Sequence, residues 1–212
     1  MPAITARGRF ITLEGIDGAG KSTHAKWLAE ALMARGRHVL ATREPGGTPA
    51  GEALRELLLR EPMTHETEAL LMFAARREHV VRVIDPALAR GEDVLCDRFT
   101  DATYAYQGAG HGVSMDLIAS LERLLPAACK PDLTLLFDVS SATSRARLER
   151  MQASGKALDK FEREAQGFFE RVRDGYLARA REEPSRFRVV DATRPPADVR
   201  ADLERILDTF LH

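Results

Sequence analysis

Residues 15–22 read Gly-Ile-Asp-Gly-Ala-Gly-Lys-Ser and match the pattern G-x-x-x-x-G-K-S, directly after the apolar run Phe10-Ile11-Thr12-Leu13. Glycines at this spacing let successive backbone N–H groups turn inward around a phosphate, and Lys21 can reach the outer phosphates. Ser22 supplies a hydroxyl suited to Mg²⁺, and the N-terminus of the following helix adds a favourable dipole. A glycine-rich turn without a ligand has the same composition, but the strand-then-helix context favours a nucleotide phosphate site.

Polar residues also follow two other predicted strands. One strand runs into Thr42-Arg43-Glu44-Pro45-Gly46-Gly47-Thr48, and another ends in Cys96-Asp97-Arg98. Ligands of open α/β sheets bind beyond the carboxyl ends of the strands, so these clusters and the phosphate loop are expected to share one site. Asp97 is suited to hold Mg²⁺ opposite Ser22, although a carboxylate that only caps the next helix has the same pattern.

The two arginines in these clusters indicate a second phosphorylated substrate. The guanidinium groups of Arg43 and Arg98 are planar forks that suit a phosphate. Either arginine alone is better explained by a surface ion pair. Together with Lys21 they supply more cationic donors than one triphosphate needs, so we expect a donor nucleotide and a phosphorylated acceptor.

Short apolar runs alternate with helical patterns along the chain, which predicts an α/β fold with a parallel sheet and crossover helices. Asp85-Pro86 is expected to kink a long helix. The charged helical stretch 142–182 is interrupted at 153–156, as a mobile lid or a plain surface turn would be. A last helix is predicted over Pro196–Leu211. The predicted strands are Arg9–Glu14, His38–Thr42, Asp93–Asp97, Leu133–Val139 and Phe187–Val190.

Composition excludes several classes of protein. The 212 residues are 44% hydrophobic, enough for the core of a single domain over 1–212, and no apolar run is long enough to span a membrane. A net charge of −1 argues against a nucleic-acid or membrane-surface partner. The first seven residues lack a signal-peptide pattern, and Cys96 and Cys129 are expected to be free thiols in the cytoplasm. The cysteines and histidines show no metal-ligand spacing.

Taken together, five motifs resemble the thymidylate kinase (dTMP kinase) family, in its bacterial type. The resemblance covers nearly the whole chain, from Phe10 to the final helix. It implies a three-layer P-loop NTPase fold, in which helices and a short helical lid (about 147–160) surround a five-stranded parallel sheet. It also implies transfer of the γ-phosphoryl group of Mg-ATP to dTMP, giving dTDP and ADP in dTTP synthesis, by a homodimer. The motifs are residues 14–23, Thr-Arg-Glu-Pro-Gly-Gly at 42–47, Leu-Met-Phe-Ala-Ala-Arg-Arg at 71–77, Asp-Arg-Phe at 97–99 and Ala-Tyr-Gln-Gly at 105–108.

The resemblance assigns the acceptor nucleotide to a set of residues in the middle of the chain. It puts the Phe73 ring on the thymine face and the Arg77 guanidinium at the exocyclic O4, which favours thymine or uracil over cytosine. Thr103 and Gln107 would read the remaining pyrimidine edge, and Tyr106 would crowd the position of a 2′-hydroxyl.

The sugar and phosphate of the acceptor have their own set of residues. Asp17 would accept a hydrogen bond from the 3′-hydroxyl, and Glu44 would point into the same crevice beside a cis Glu44–Pro45 bond. The acceptor phosphate would face three arginines, which are Arg43, Arg55 and Arg98.

On the donor side, the resemblance places the phosphates of ATP on the loop and stacks Arg147 on adenine, with residues 191–195 closing the other side. Ser22 and Asp97 would hold Mg²⁺, and the catalytic groups would be Lys21, Asp97, Arg98 and Arg150. The lid offers Arg150, Lys156 and Lys160, with no motif to choose among these cations. The loop residues assigned to ATP are Gly15, Ile16, Asp17, Gly18, Ala19, Gly20, Lys21, Ser22 and Thr23.

Two alternatives remain at this stage. One is a kinase for another nucleoside monophosphate or for a deoxynucleoside. The other is a GTP-binding switch, but proteins of that kind read guanine through an Asn-Lys-x-Asp segment, which this sequence lacks.

Overall fold

The computed structural model describes residues 7–126, 129–155, 157 and 159–211. Within these ranges a sheet of five parallel strands has the order β2-β3-β1-β4-β5. Each predicted strand is present, and its ends agree with the prediction to within one residue. The strands are β1 (Phe10–Glu14), β2 (Val39–Arg43), β3 (Asp93–Asp97), β4 (Leu133–Asp138) and β5 (Phe187–Asp191).

Helices connect these strands, and several begin at residues that cap them. The Thr48 hydroxyl accepts a hydrogen bond from Gly51 N before Pro49 opens α2, and Ser140 caps α7 in the same way through Thr143 N. The helices are α1 (Lys21–Ala34), α2 (Pro49–Arg60), α3 (His65–His79), α4 (Asp85–Ala89), α5 (Thr100–Thr103), α6 (Met115–Glu122), α7 (Ser141–Ala153), α8 (Gln166–Glu182) and α9 (Pro196–Leu211).

The long helix around Asp85-Pro86 contains a π-helical segment where the sequence predicted a simple kink. Helix α3 continues without a break into a π-helical segment, Val80–Ile84, and then into α4, where Pro86 lies in the first turn. Proline has no N–H to donate to the preceding turn, so a wider turn just before it accommodates the lost hydrogen bond. A second π-helical segment, Tyr104–Gly110, follows α5.

The central strand β1 packs on both of its faces, which makes the fold a three-layer structure. Phe10 lies in a cluster with residues of the helix that covers one face, including Val80 and Ile84. Ile11 and Leu13 point the other way and join a larger cluster that includes residues of α1 and α9. This packing brings the carboxyl ends of β1, β2 and β3 to one edge. No helix of the described residues is long and apolar enough to cross a membrane. Both cysteines are buried and free, as predicted.

Glu14 ends β1 as a fully buried carboxyl group. Its Oε1 accepts a hydrogen bond of 2.7 Å from Phe99 N, and its Oε2 lies 2.8 Å from Tyr176 Oη. Burial, and after it the charge of Asp101, raises the pKa of Glu14 from 4.5 to about 8. The folded protein therefore holds a proton that the unfolded chain releases.

The stability that Glu14 contributes should depend on pH. A carboxyl group whose pKa is raised on folding contributes fully below pH 4.5 and loses that contribution as the pH rises toward 8. We predict that Glu14→Gln, which cannot titrate, flattens the fall in the free energy of unfolding across this interval, measured by urea denaturation. Parallel curves for the two proteins would contradict the raised pKa.

Candidate active site

A cavity of about 710 Å³ lies at the carboxyl ends of β1, β2 and β3. Its walls include the phosphate loop, the turn after β2, the segment after β3 and the helices on either side. Most residues that the sequence assigned to two nucleotides therefore lie around one space. The predicted residues that line it are Asp17, Gly18, Ala19, Gly20, Lys21, Ser22, Thr23, Arg43, Glu44, Pro45, Arg55, Asp97, Arg98, Thr103, Tyr106, Gln107, Arg147 and Arg150.

The phosphate loop closes around the ammonium group of Lys21. Lys21 Nζ donates to Gly15 O at 2.8 Å and to Ile16 O at 3.2 Å, and burial lowers the pKa of this lysine. Gly18 has a φ of +72°, and a Cβ there would lie 2.8 Å from Ser144 O, so glycine is required. Gly15 and Ile16, which the sequence assigned to ATP, do not line the cavity, because their carbonyl groups face Lys21 and the lining begins at Asp17.

Arg98 and Asp17 join the end of β3 to the phosphate loop. Arg98 Nη2 donates to Asp17 Oδ1 at 2.5 Å, and Tyr106 Oη donates to Asp17 Oδ2 at 2.7 Å. Burial would raise the pKa of Asp17, but the charges of Arg98 and Lys21 outweigh it, so the pKa is lowered and the group is ionised. Arg98 has a φ of +70°, an uncommon conformation for a residue with a side chain. The surrounding hydrogen bonds hold it there.

Asp97 and Ser22 fit a divalent cation. Asp97 Oδ1 is buried and has no hydrogen-bond partner in the part of the chain that the structure describes. Such an oxygen is costly unless a donor or a cation satisfies it. Ser22 lines the same cavity, and hard oxygen ligands of this type suit Mg²⁺.

The turn after β2 carries the predicted acceptor arginines. Arg43 makes two hydrogen bonds to Glu52, of 2.8 and 3.0 Å, and Arg55 Nη1 donates to Pro45 O at 3.0 Å. The Glu44–Pro45 bond is cis, as predicted. Arg43 and Arg55 thus hold defined positions on the cavity wall.

The two predicted base-recognition residues do not line the cavity, but the residues directly before them do. Arg77 is exposed and does not line the cavity, whereas Arg76 is buried on its wall. Phe73 also lies outside the lining, in an apolar cluster with Tyr104, and Met72 takes the cavity position instead. Met72 and Arg76 have the same four-residue spacing as Phe73 and Arg77, so the spacing alone does not choose between the two pairs.

Arg76 has a chain of buried partners. Its Nε donates to Glu44 Oε2 at 2.6 Å, its Nη1 to Thr103 Oγ1 at 3.2 Å and its Nη2 to Phe99 O at 3.0 Å. Its guanidinium also lies 4.6 Å from the centre of the Phe73 ring. The sequence analysis missed Arg76, although a buried Glu44 requires a cationic partner and that requirement is the signal that could have found it.

On the donor side, Arg147 links the phosphate loop to the segment after β5. Its guanidinium donates to Gly18 O at 3.1 Å and to Ala192 O at 2.8 Å. Of the lid cations, Arg150 lines the cavity. Lys160 does not, because its Nζ binds Glu68 Oε1 at 2.6 Å. Lys156 lies outside the described residues.

A model of the family described as thymidylate kinase matches residues 13–203. The chain is 62% identical over 207 residues to the thymidylate kinase of Bordetella petrii, and the match covers 98% of each chain. The chain belongs to the thymidylate kinase family. A second member, from Cupriavidus metallidurans, is 60% identical over 204 residues, with coverage of 96% of this chain and 100% of the relative.

A solved structure supports the same family assignment. The crystal structure of thymidylate kinase from Ehrlichia chaffeensis matches with a TM-score of 0.76 at 36% identity, covering 95% of this chain and 99% of that one. The parallel sheet with flanking helices is thus the P-loop NTPase fold that the sequence predicted. Membership of this family agrees with a cavity that is lined by both a phosphate loop and several arginines.

The different surroundings of Arg76 and Arg77 give a direct test. Arg76→Ala should lower the free energy of unfolding by about 3–5 kcal/mol, because it leaves Glu44 buried without its partner. The neighbouring exposed variant Arg77→Ala is the matched control and should change it by less than about 0.5 kcal/mol. Equal losses in urea denaturation would contradict the assignment of Arg76 to the buried network.

Proposed function

We propose that the protein is a dTMP kinase, which transfers the γ-phosphoryl group of ATP to dTMP and forms ADP and dTDP for dTTP synthesis. The observation that carries the proposal is one cavity that is lined both by a phosphate loop and by three arginines, Arg43, Arg55 and Arg98. Two phosphorylated substrates can therefore meet inside it. Membership of the thymidylate kinase family supports dTMP as the acceptor.

The reaction depends more on the positions of the two substrates and on nearby positive charge than on a general base. The acceptor phosphate is already an anion near neutral pH, so no strong base has to remove a proton before it attacks the γ-phosphorus. In the proposed mechanism, Lys21, Arg98 and Arg150 place positive charge around the transferring group. Closure of the lid over the cavity would exclude water and so suppress hydrolysis of ATP.

Ser22 and Asp97 would hold Mg²⁺, a proposal supported by the buried oxygen of Asp97 that has no partner among the described residues. The ion, when bound, supplies neutralisation of the charge on the donor phosphates. The loop of 17–23 would receive those phosphates, and Arg147 would stack on adenine.

The acceptor base would be read by Arg76 and Met72 in place of Arg77 and Phe73. Arginine has five N–H groups, and three nitrogen atoms of Arg76 each donate to one protein acceptor, which leaves two N–H groups for a ligand. A carbonyl oxygen at position 4 of thymine would accept from them, whereas the amino group of cytosine would oppose donor to donor. Thr103 and Gln107 line the same cavity and would read the other pyrimidine edge.

A panel of acceptors tests the proposal against other kinases. With Mg-ATP, the purified chain should phosphorylate dTMP to dTDP with a kcat/KM at least about 100-fold higher than the values for dCMP, AMP or thymidine, because each of these three leaves buried hydrogen-bonding groups of the acceptor site unpaired. The product is measured by chromatography. Preferred phosphorylation of any of the other three acceptors would contradict the proposal.

Two lysine variants on α1 control this assay. Lys21→Ala should reduce dTDP formation by about 100-fold or more, since it removes a cation from the transferring group. Lys26→Ala, at an exposed position of the same helix, should retain the activity of the unchanged chain. Near-normal activity of folded Lys21→Ala would refute the assignment of the loop.

We further propose that residues 1–212 form one kinase domain with a lid near 147–160, and that the protein acts as a cytoplasmic homodimer. Leu57 on α2 and Leu70 on α3 are 41% and 49% exposed, and the two helices pack side by side, so together they offer an apolar surface to a second copy. Light scattering that gives the mass of a single chain would overturn the dimer.

A further inference from the structure

His79, the last residue of α3, is fully buried and does not line the cavity. Its ring lies between the end of β2 and the turn that follows it. Nδ1 lies 3.0 Å from Glu44 Oε1, and Nε2 lies 2.8 Å from Thr42 Oγ1. No motif in the sequence singles this histidine out.

The two hydrogen bonds define what the imidazole does. A carboxylate only accepts hydrogen bonds, so the ring proton belongs on Nδ1, which donates to Glu44. Nε2 is within hydrogen-bond distance of the Thr42 hydroxyl. The ring thus joins β2 to Glu44 and satisfies both partners.

Glu44 connects the position of the His79 ring to the cavity wall. One carboxylate oxygen accepts from His79 and the other accepts from Arg76 Nε at 2.6 Å. The plane of the carboxylate, and through it the direction of the Arg76 guanidinium, therefore depends on where His79 holds Oε1. Arg76 is the residue that faces the acceptor base in the proposed function.

The ring also packs against the turn after β2. A Cβ at Gly47 would lie 2.4 Å from His79 Nε2, so the ring and the backbone of the turn are in close contact. Gly47 N donates to Glu52 Oε1 at 2.9 Å, and the same oxygen accepts from Arg43 Nη1 at 2.8 Å. A shift of His79 would move the turn and disturb the position of Arg43.

We propose that His79 is a positioning residue for the acceptor nucleotide. It fixes Glu44, and through Glu44 it aligns Arg76 on the base side and the turn 44–47 on the phosphate side. The inference rests on the proposed function, because it takes dTMP as the molecule that these residues bind.

A metal centre is the competing explanation for this cluster. Glu44, His79 and Cys96 are all buried, and one ligand atom of each lies close enough to the others to hold an ion. However, both oxygens of Glu44 and both ring nitrogens of His79 already have protein partners, and Cys96 Sγ donates to Arg98 O at 3.1 Å. A satisfied hydrogen-bond network explains the cluster without an ion.

Four variants separate positioning from general stability. His79→Phe fills the space of the ring without its hydrogen bonds, and His79→Gln retains a donor for Glu44. Thr42→Val removes only the hydroxyl on the far side of the ring. His65→Gln, at an exposed position at the start of the same helix, is the matched control.

Steady-state kinetics on the intact chain give the readout. His79→Phe should raise the KM for dTMP by about 10- to 100-fold, the loss expected for a hydrogen bond to a charged group, and leave the KM for ATP within about twofold. His79→Gln should recover most of that loss, and His65→Gln should match the unchanged chain. Calorimetric titration of dTMP should show the same order of affinities.

Equal changes in the two KM values, or an unchanged KM for dTMP in folded His79→Phe, would overturn the proposal. If His79→Phe does not fold, Thr42→Val decides. It should raise the KM for dTMP by about threefold through weaker anchoring of the ring, and an unchanged KM would refute the role. Failure of the proposed function is distinguishable, because the unchanged chain would then not phosphorylate dTMP.

Discussion

The ion pair between Asp17 and Arg98 is the interaction on which the site depends. The Arg98 guanidinium bonds to Asp17, to the Gly15 carbonyl and to the hydroxyl groups of Tyr106 and Tyr176. The side chains of the pair are only 18% and 20% exposed, so water screens their attraction weakly. One guanidinium thereby connects the phosphate loop to the end of β3.

Other buried charges lie near this pair, and hydrogen-bonding partners offset the free-energy cost of removing them from water. Glu44 and Arg76 are 4% and 2% exposed and bond to each other, while His79 bonds to the second oxygen of Glu44 and Thr103 accepts from a second nitrogen of Arg76. Charges removed from water destabilise a fold unless hydrogen bonds replace the lost hydration. Together they give the cavity wall a defined polarity, which the proposed selection of thymine over cytosine requires.

Much of the fold could be predicted because its signals are local. The strand ends followed from short apolar runs and the phosphate loop from its glycine-rich motif, whereas the cis bond at Pro45 followed from the resemblance to the family. The placement of Phe73 and Arg77 could not be predicted in this way. The rotation of α3 about its axis decides which pair faces the cavity, and that rotation is set by packing against neighbouring elements.

Side-chain contacts also decide which other residues line the cavity. Gly15 and Ile16 belong to the loop motif, but their carbonyl groups turn toward the Lys21 ammonium and leave the lining to begin at Asp17. Lys160 is a cation on the lid segment, yet it bonds to a buried Glu68 on α3 and does not line the cavity. Glu68 is distant from Lys160 along the chain, so local sequence carries no information about this second contact.

Asp17 and Arg98 should therefore act as one unit that joins the phosphate loop to the end of β3. A double-mutant cycle of Asp17→Asn and Arg98→Lys, read as kcat/KM for dTMP phosphorylation, tests it most directly. We expect the double variant to be hardly less active than the worse single variant, with a coupling of about 1–3 kcal/mol, as residues in one network show. Losses that simply add in the double variant would contradict the account.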